Sequence, residues 1–229
     1  MFAKLLNSSI LQGNFLWKLL CLGVLCLAYI IGMREVYAFT PVNSYVLKIE
    51  MAPAKCLLDP SLQKQRQCLE GYNLVVSGLF PDTYVANRCH TNSSPNLPPL
   101  QARATARLMP NERERQRLWA NVGGCISGNA SQYFRTITVF AESFTVPRVL
   151  ISDRSQVMQA SYLHQQIVRS NGQVFPKDAV RFGCEYSPRH KQTFLTEIKV
   201  CYTAKGAYRA CGVQETSNCP SSFTIQGAY

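Results

Sequence analysis

The sequence predicts an α+β domain built on a central, mainly antiparallel sheet with helices packed on it. Segments with strand patterning lie near both ends of the region after residue 38, and segments with helical patterning are grouped between them. Eight cysteines are spread through the same region. With 229 residues, the chain is long enough for one sizeable domain with a real core.

Residues 1–38 are expected to be a targeting segment. Basic residues precede the apolar run Leu19–Met33, and an A-x-A-like cleavage site ends at Ala38. This pattern favours a cleaved signal peptide. The alternative is an uncleaved membrane anchor, because the stretch from 15 to 33 almost reaches the ~20 residues that span a bilayer. Residues 39–229 then form a single domain that is periplasmic or secreted, or is anchored outside the cytoplasm.

Strands are predicted where apolar residues alternate with polar ones or form short runs between turn residues. The expected strands are 44–51, 72–80, 178–186, 193–203 and 221–226. Between the first two, residues 56–68 are interpreted as a short polar loop closed by two cysteines. Residues 82–99 are rich in Asn, Ser and Pro, which is typical of a loop.

Three helices are predicted from charge spacing and end signals. The first begins after an asparagine cap at Asn111 and ends at the glycine pair 123–124. The second covers 130–144, and the third covers 155–170 and ends at Asn171-Gly172.

The cysteines indicate disulfides. An even set behind a secretion signal is typical of an oxidised, secreted domain. No CxxC pair occurs, and no histidine lies near these cysteines except His90 beside Cys89. We therefore expect no metal site and no cofactor. The eight residues alone leave the pairing open.

The chain carries a formal net charge of +11. Removing residues 1–38 takes away three basic residues and one acidic residue, so the domain stays strongly basic. Such a charge suits RNA, DNA or an anionic membrane surface as a partner. It is also an ordinary feature of secreted proteins, and both interpretations stay open.

The stretches 45–56, 75–81, 117–125 and 194–226 occur in an order and at a spacing that resemble one known family. It is the ribonuclease T2 family of secreted endoribonucleases, in particular its bacterial periplasmic type. "FLTEIKVCYTAKGAYRAC" followed by "NCPSSFTIQ" is similar to the C-terminal LxEIxxC strand and cysteine loop of that family. "YVLKIEMAPAKC" resembles its first strand and first cysteine. "VVSGLFP" lies where the family has HGLWP, and "RLWANVGGC" lies where it has HEWxKHGxC. The similarity covers nearly all of residues 44–229.

The resemblance implies a disulfide scheme with two short local loops and two distant links. The implied pairs are Cys56 with Cys68, Cys89 with Cys125, Cys184 with Cys219, and Cys201 with Cys211.

The family cleaves RNA by moving the 2′-hydroxyl onto the adjacent phosphorus, which gives a 2′,3′-cyclic phosphate. Two histidines suit the proton transfers, and a glutamate and a lysine stabilise the charged transition state. Carried over by position, the two histidines become Ser77 and Val122, the glutamate becomes Leu118, and the lysine becomes Asn121. The resemblance therefore implies a degenerate member that lacks the family's proton carriers.

One residue near the two motifs is a candidate for substitute chemistry, and a second is excluded. His90 follows Cys89 in the loop after the first motif and is a possible replacement, although a solvated loop histidine is the simpler interpretation. Ser77 is not expected to act as a nucleophile, because "VVSGL" lacks the first glycine of the hydrolase elbow and no activating histidine–acid pair is evident.

Aromatic and basic residues near the two motifs suggest a binding surface. Phe80 and Trp119 could stack on bases, and Arg113 and Arg117 could contact phosphates. The alternative is that both rings belong to the core and the arginines form a solvated helix face.

These observations support three hypotheses about function. The first is a non-catalytic protein that binds RNA or another polyanion in the inherited cleft. The second is an active endoribonuclease with a rearranged site that uses His90. The third is a protein-interaction module, with an unknown protein as partner and a vestigial cleft. Contact with a membrane is expected only through an uncleaved N-terminal segment.

Overall fold

The computed structural model describes residues 41–172 and 175–228. The predicted leader, residues 1–38, lies outside the described residues. In the part of the chain that is described, no helix is both long and apolar enough to cross a bilayer.

The described residues form the α+β architecture that the sequence predicts, with six strands in one sheet and six α-helices. The strands are β1 Ser44–Met51, β2 Leu74–Pro81, β3 Gln156–Gln159, β4 Val180–Ser187, β5 Gln192–Thr203 and β6 Ser222–Ile225. The helices are α1 Ala52–Leu58, α2 Arg66–Leu69, α3 Pro99–Leu108, α4 Glu112–Val122, α5 Ala130–Ser143 and α6 Ala160–Asn171.

The sheet is centred on the long strand β5. The strand order is β2-β1-β5-β6-β3, and β4 also pairs with β5. All pairings are antiparallel except the short contact between β5 and β6, which is parallel. The prediction of a mainly antiparallel sheet is confirmed.

Strand β1 shows how the sequence divides the sheet into two faces. Leu47, Ile49 and Met51 are buried in the core, and Lys48 and Glu50 between them are only partly buried. Successive side chains of a strand point to opposite faces. The apolar residues therefore pack beneath the helices, and the two charged residues lie together on the other face.

The sequence prediction was wrong in three segments. Residues 56–68, interpreted as a loop, contain the end of α1, a short 3₁₀ turn at Pro60–Leu62 and part of α2. Helix α3 was missed because its sequence begins within a proline-rich stretch. The helix predicted over 155–170 divides at residue 160, where strand β3 ends and α6 begins, because Gln156–Gln159 pair with β6.

Four disulfides are formed, and they follow the scheme implied by the family resemblance. They join Cys56 to Cys68, Cys89 to Cys125, Cys184 to Cys219, and Cys201 to Cys211. The second of these ties the loop after β2 to the end of α4, and so holds together the two segments that carry the candidate site.

Candidate functional site

Strand β2 has a bulge at the first motif. Lys48 of β1 pairs with Gly78, and the next residue, Ile49, pairs with Val76, so Ser77 has no partner opposite it. A bulge bends the strand and re-aims the side chain of the extra residue. The Ser77 hydroxyl donates a hydrogen bond to the backbone carbonyl of Lys48 at 3.3 Å.

Helix α4 brings the second motif against this bulge. Its N-terminus is capped by Asn111, whose side chain accepts a hydrogen bond from the Arg113 backbone. A Cβ atom built on Gly78 would lie 2.8 Å from Leu118 Cδ1. Glycine is therefore the residue that allows α4 to approach β2 this closely.

The two motifs enclose a cavity of about 470 Å³, which we call the cleft. Three of the four positions that would carry the family's proton chemistry line it, namely Ser77, Leu118 and Asn121. The fourth, Val122, is 0% exposed and belongs to the core. The cleft walls come from β1, β2, α1, α4 and the segment 62–67.

Two aromatic rings line the cleft. Phe80 and Tyr84 contact each other edge to face, with ring centroids 5.1 Å apart. The Lys48 ammonium lies 4.6 Å from the Phe80 centroid. Both rings also line a second cavity of about 350 Å³, so they separate two adjacent pockets.

The charges around the cleft are balanced. Arg117 and Glu114 both line it and form an exposed ion pair at 2.8 Å. Lys55 and Glu50 line it too, but Lys55 lies 3.8 Å from Glu185 instead. The basic character of the chain is therefore not concentrated inside the cleft.

Among the titratable side chains that line the cleft, Glu50 has a pKa above its ordinary value. Burial raises the pKa of the Glu50 carboxyl, Lys55 lowers it, and Glu197 raises it further. Glu197 pairs directly with Glu50 in the ladder between β1 and β5, so two carboxylates face each other across adjacent strands.

The structure divides the predicted binding residues into three groups. Phe80 and Arg117 line the cleft. Arg113 is exposed one turn before Arg117 on α4 and does not line the cleft. Trp119 is 1% exposed, and its indole N–H donates to the backbone carbonyl of Ser93 at 3.1 Å. The interpretation of Trp119 as a stacking ring is corrected, because a ring buried in the core offers no face to a base.

No histidine of the described ranges 41–172 and 175–228 lines either cavity. His90 is exposed, and its backbone packs against Gly124. The His164 ring nitrogen Nε2 is hydrogen-bonded to the Lys177 carbonyl. The His190 ring nitrogen Nδ1 lies 2.9 Å from the Ser187 hydroxyl. Within the described ranges, no three or more His, Cys, Asp or Glu side chains form a cluster that could hold a metal ion.

Three residues of the site were missed by the sequence analysis. Tyr133 of α5 is buried, accepts a hydrogen bond from the Leu79 N–H and donates one to the Leu79 carbonyl at 2.8 Å, which fixes the end of β2. Tyr84 lies in a loop whose path the sequence does not reveal. Glu50 had a signal in "VLKIEM", because strand alternation places it opposite the core.

The sheet, the four disulfides and the cleft between β2 and α4 together define the ribonuclease T2 fold, and comparison with solved structures confirms it. Ribonuclease MC1 from the seeds of bitter gourd superposes with a TM-score of 0.60 at 18% identity, over 79% of this chain and 98% of that chain. A mutant of ribonuclease MC1 in complex with 5′-UMP gives a TM-score of 0.61 at 16% identity, over 81% and 99%.

The self-incompatibility-associated SF11-RNase of Nicotiana alata has the same fold, with a TM-score of 0.59 at 14% identity, over 79% of this chain and 96% of that chain. No protein-family model matches the sequence, and no curated protein matches it either. The likeness therefore lies in the fold, which is kept while most of the sequence differs.

Proposed function

We propose that this protein is a non-catalytic protein of the ribonuclease T2 fold that binds single-stranded RNA in the cleft. The observation that carries the proposal is the make-up of the cleft itself. It is open and bordered by Phe80 and Tyr84, but the positions that would move protons hold Ser77, Leu118 and Asn121.

The chemistry of transesterification supports the loss of cleavage. A base must take the 2′-hydroxyl proton and an acid must protonate the leaving oxygen near neutral pH. Serine, leucine, asparagine and valine have no side-chain pKa in that range. The described cleft contains two carboxylates, Glu50 and Glu114, but no imidazole.

The aromatic pair and the basic helix support RNA binding. Base–aromatic stacking contributes about 1–3 kcal/mol per base and tolerates any sequence. Arg113 and Arg117 lie on one face of α4, four residues apart, where they can follow a phosphate backbone out of the cleft. Binding of 5′-UMP by a mutant of ribonuclease MC1 fits the same use of the fold.

The four disulfides support an oxidising compartment, which we infer to be the periplasm or the exterior of the cell. If the fold depends on these disulfides, the yield of refolded protein should be higher with an oxidant than without one. Full stability under reducing conditions would argue against it.

Binding is tested by fluorescence anisotropy with a labelled single-stranded RNA, titrated at several salt concentrations. We expect affinity to fall with salt, and we expect Arg117→Gln to weaken binding and reduce the salt slope by roughly one. Arg135→Gln is the matched control, since Arg135 is exposed on α5 and does not line the cleft. Absence of RNA binding at low salt would contradict the proposal and favour a protein partner with a vestigial cleft.

A further inference from the structure

Glu50 is a partly buried carboxylate without a partner. No hydrogen bond or ion pair joins it to any other described residue. Lys55 lies within reach of Glu185 at 3.8 Å, and Lys199 lies 3.9 Å from Glu197 and 2.9 Å from Glu215. The Glu50 carboxylate therefore has acceptor capacity toward the cleft that no described side chain uses.

The surroundings of Glu50 favour a ligand with N–H donors. The facing residue on β5 is Glu197, and its carboxylate repels a phosphate placed between the two strands, while Lys55 and Lys48 offset part of this repulsion. Phe80 and Tyr84 line the same cavity. An unsatisfied acceptor beside two aromatic rings fits a flat, donor-bearing ring.

Among the four RNA bases, guanine matches this arrangement. Its Watson–Crick edge carries two adjacent donors, N1–H and the N2 amino group, and a carboxylate accepts two such bonds at once. Adenine, cytosine and uracil each present an acceptor next to the donor on that edge. That acceptor would face the carboxylate and cost binding energy.

We propose that Glu50 selects guanine, accepting hydrogen bonds from N1–H and N2–H of a base stacked on Phe80 or Tyr84 in the cleft. This inference rests on the proposed binding of RNA and adds the base that the cleft takes. It also gives a role to the Glu50 carboxylate, since the ligand supplies hydrogen bonds that no described side chain makes with it.

The test is equilibrium binding of 5′-GMP, 5′-IMP, 5′-AMP, 5′-CMP and 5′-UMP at neutral pH and low salt. We expect 5′-GMP to bind about tenfold or more tightly than 5′-AMP, 5′-CMP and 5′-UMP. 5′-IMP, which lacks the N2 amino group, should fall between them. Glu50→Gln should abolish the preference, while the control Glu112→Gln, an exposed carboxylate of α4 that does not line the cleft, should retain it.

The outcomes separate this inference from the proposed function. Equal affinity for all five nucleotides, with RNA binding intact, would overturn the guanine assignment alone. A guanine preference that survives in folded Glu50→Gln would overturn it too. If a melting curve shows that Glu50→Gln is unfolded, the ratio of 5′-GMP to 5′-IMP affinity in the native protein decides. If N-acetyl-arginine amide at the same concentration displaces 5′-GMP, the cleft binds a cationic side chain instead of guanine, and the guanine assignment is overturned.

Discussion

Ionisation of Glu50 should lower the stability of the folded protein. Because burial and Glu197 raise its pKa above the ordinary value of 4.5, the folded state holds this proton more tightly than the unfolded state does. The stabilising effect of the protonated form is complete below pH 4.5 and is lost as pH rises through the raised pKa. Glu50→Gln should therefore unfold at higher urea concentration than the native protein at pH 7 and at nearly the same concentration at pH 4.

Equal midpoint shifts at pH 4 and pH 7 would contradict this account of Glu50. Glu112→Gln serves as the control, because that carboxylate is exposed and its change should leave the pH dependence of unfolding as it is.

Phe80 is the aromatic residue on which the binding proposal depends most. Phe80→Ala removes the ring that contacts Tyr84 and lies beneath the Lys48 ammonium. We expect RNA affinity to fall about tenfold, because one stacked base contributes about 1–3 kcal/mol. The measurement is anisotropy with the same labelled RNA. Tyr186→Ala is the control, since that ring is 59% exposed on β4 and does not line the cleft. Unchanged affinity in Phe80→Ala would remove Phe80 from the binding surface.

At the scale of elements, Gly78 sets the distance between β2 and α4. A Cβ at this position would lie 2.8 Å from both Leu118 Cδ1 and Phe80 Cε2, and both side chains would have to move. We expect Gly78→Ala to lower the free energy of unfolding by about 1–3 kcal/mol, the usual cost of overpacking.

Gly212→Ala is the matched control for this prediction. Nothing lies within 4 Å of a Cβ at Gly212, so alanine there should be neutral or stabilise by about 0.4–1 kcal/mol. Denaturant unfolding of both variants makes the comparison. Equal stability of the two variants would show that β2 and α4 do not depend on the close approach.

Elements with a strong local pattern were predictable from the sequence. Strand β1 alternates, and α4 has an asparagine cap and a glycine end, so both were found with bounds close to the observed ones. Strand β3 was not found, because its four residues are extended through their pairing with β6, in which Gln156 lies opposite Ile225 and Gln159 lies opposite Ser222. Pairing of this kind is a tertiary effect that a local pattern does not record.

The candidate site was predictable only where motifs carried it. Ser77, Leu118 and Asn121 were placed together from two motifs, and all three line the cleft. The burial of Trp119 and the approach of Tyr84 depend on how the loop after β2 packs, and no residue pattern specifies that path. Glu50 was overlooked although the alternation of β1 places it opposite the core, because the sequence does not reveal which residues surround it there.

At the scale of the whole molecule, the disulfides should differ in their contribution to stability. The bond between Cys184 and Cys219 spans 35 residues, and that between Cys201 and Cys211 spans 10. Because a longer loop restricts the unfolded chain more, replacing the first pair by alanines should cost about 1 kcal/mol more than replacing the second. Urea unfolding of the two double variants measures the difference. A reversed order would show that packing around the sulfurs outweighs loop closure.

The whole molecule is basic, while the cleft is nearly balanced in charge. This division suits a protein that attracts RNA over its surface and reads a base inside the cleft. It does not suit the stabilisation of a pentavalent phosphorane, which needs positive charge at the reacting phosphorus.

The central claim is that the cleft binds RNA without cutting it. The most direct test incubates the purified, oxidised protein with a single-stranded RNA at pH 5 and pH 7 and analyses bound RNA and products by mass spectrometry. We predict RNA that is bound and intact, with no 2′,3′-cyclic phosphate ends. Cyclic phosphate ends that appear with the native protein and disappear with His90→Ala would contradict the claim and establish an endoribonuclease with a rearranged site.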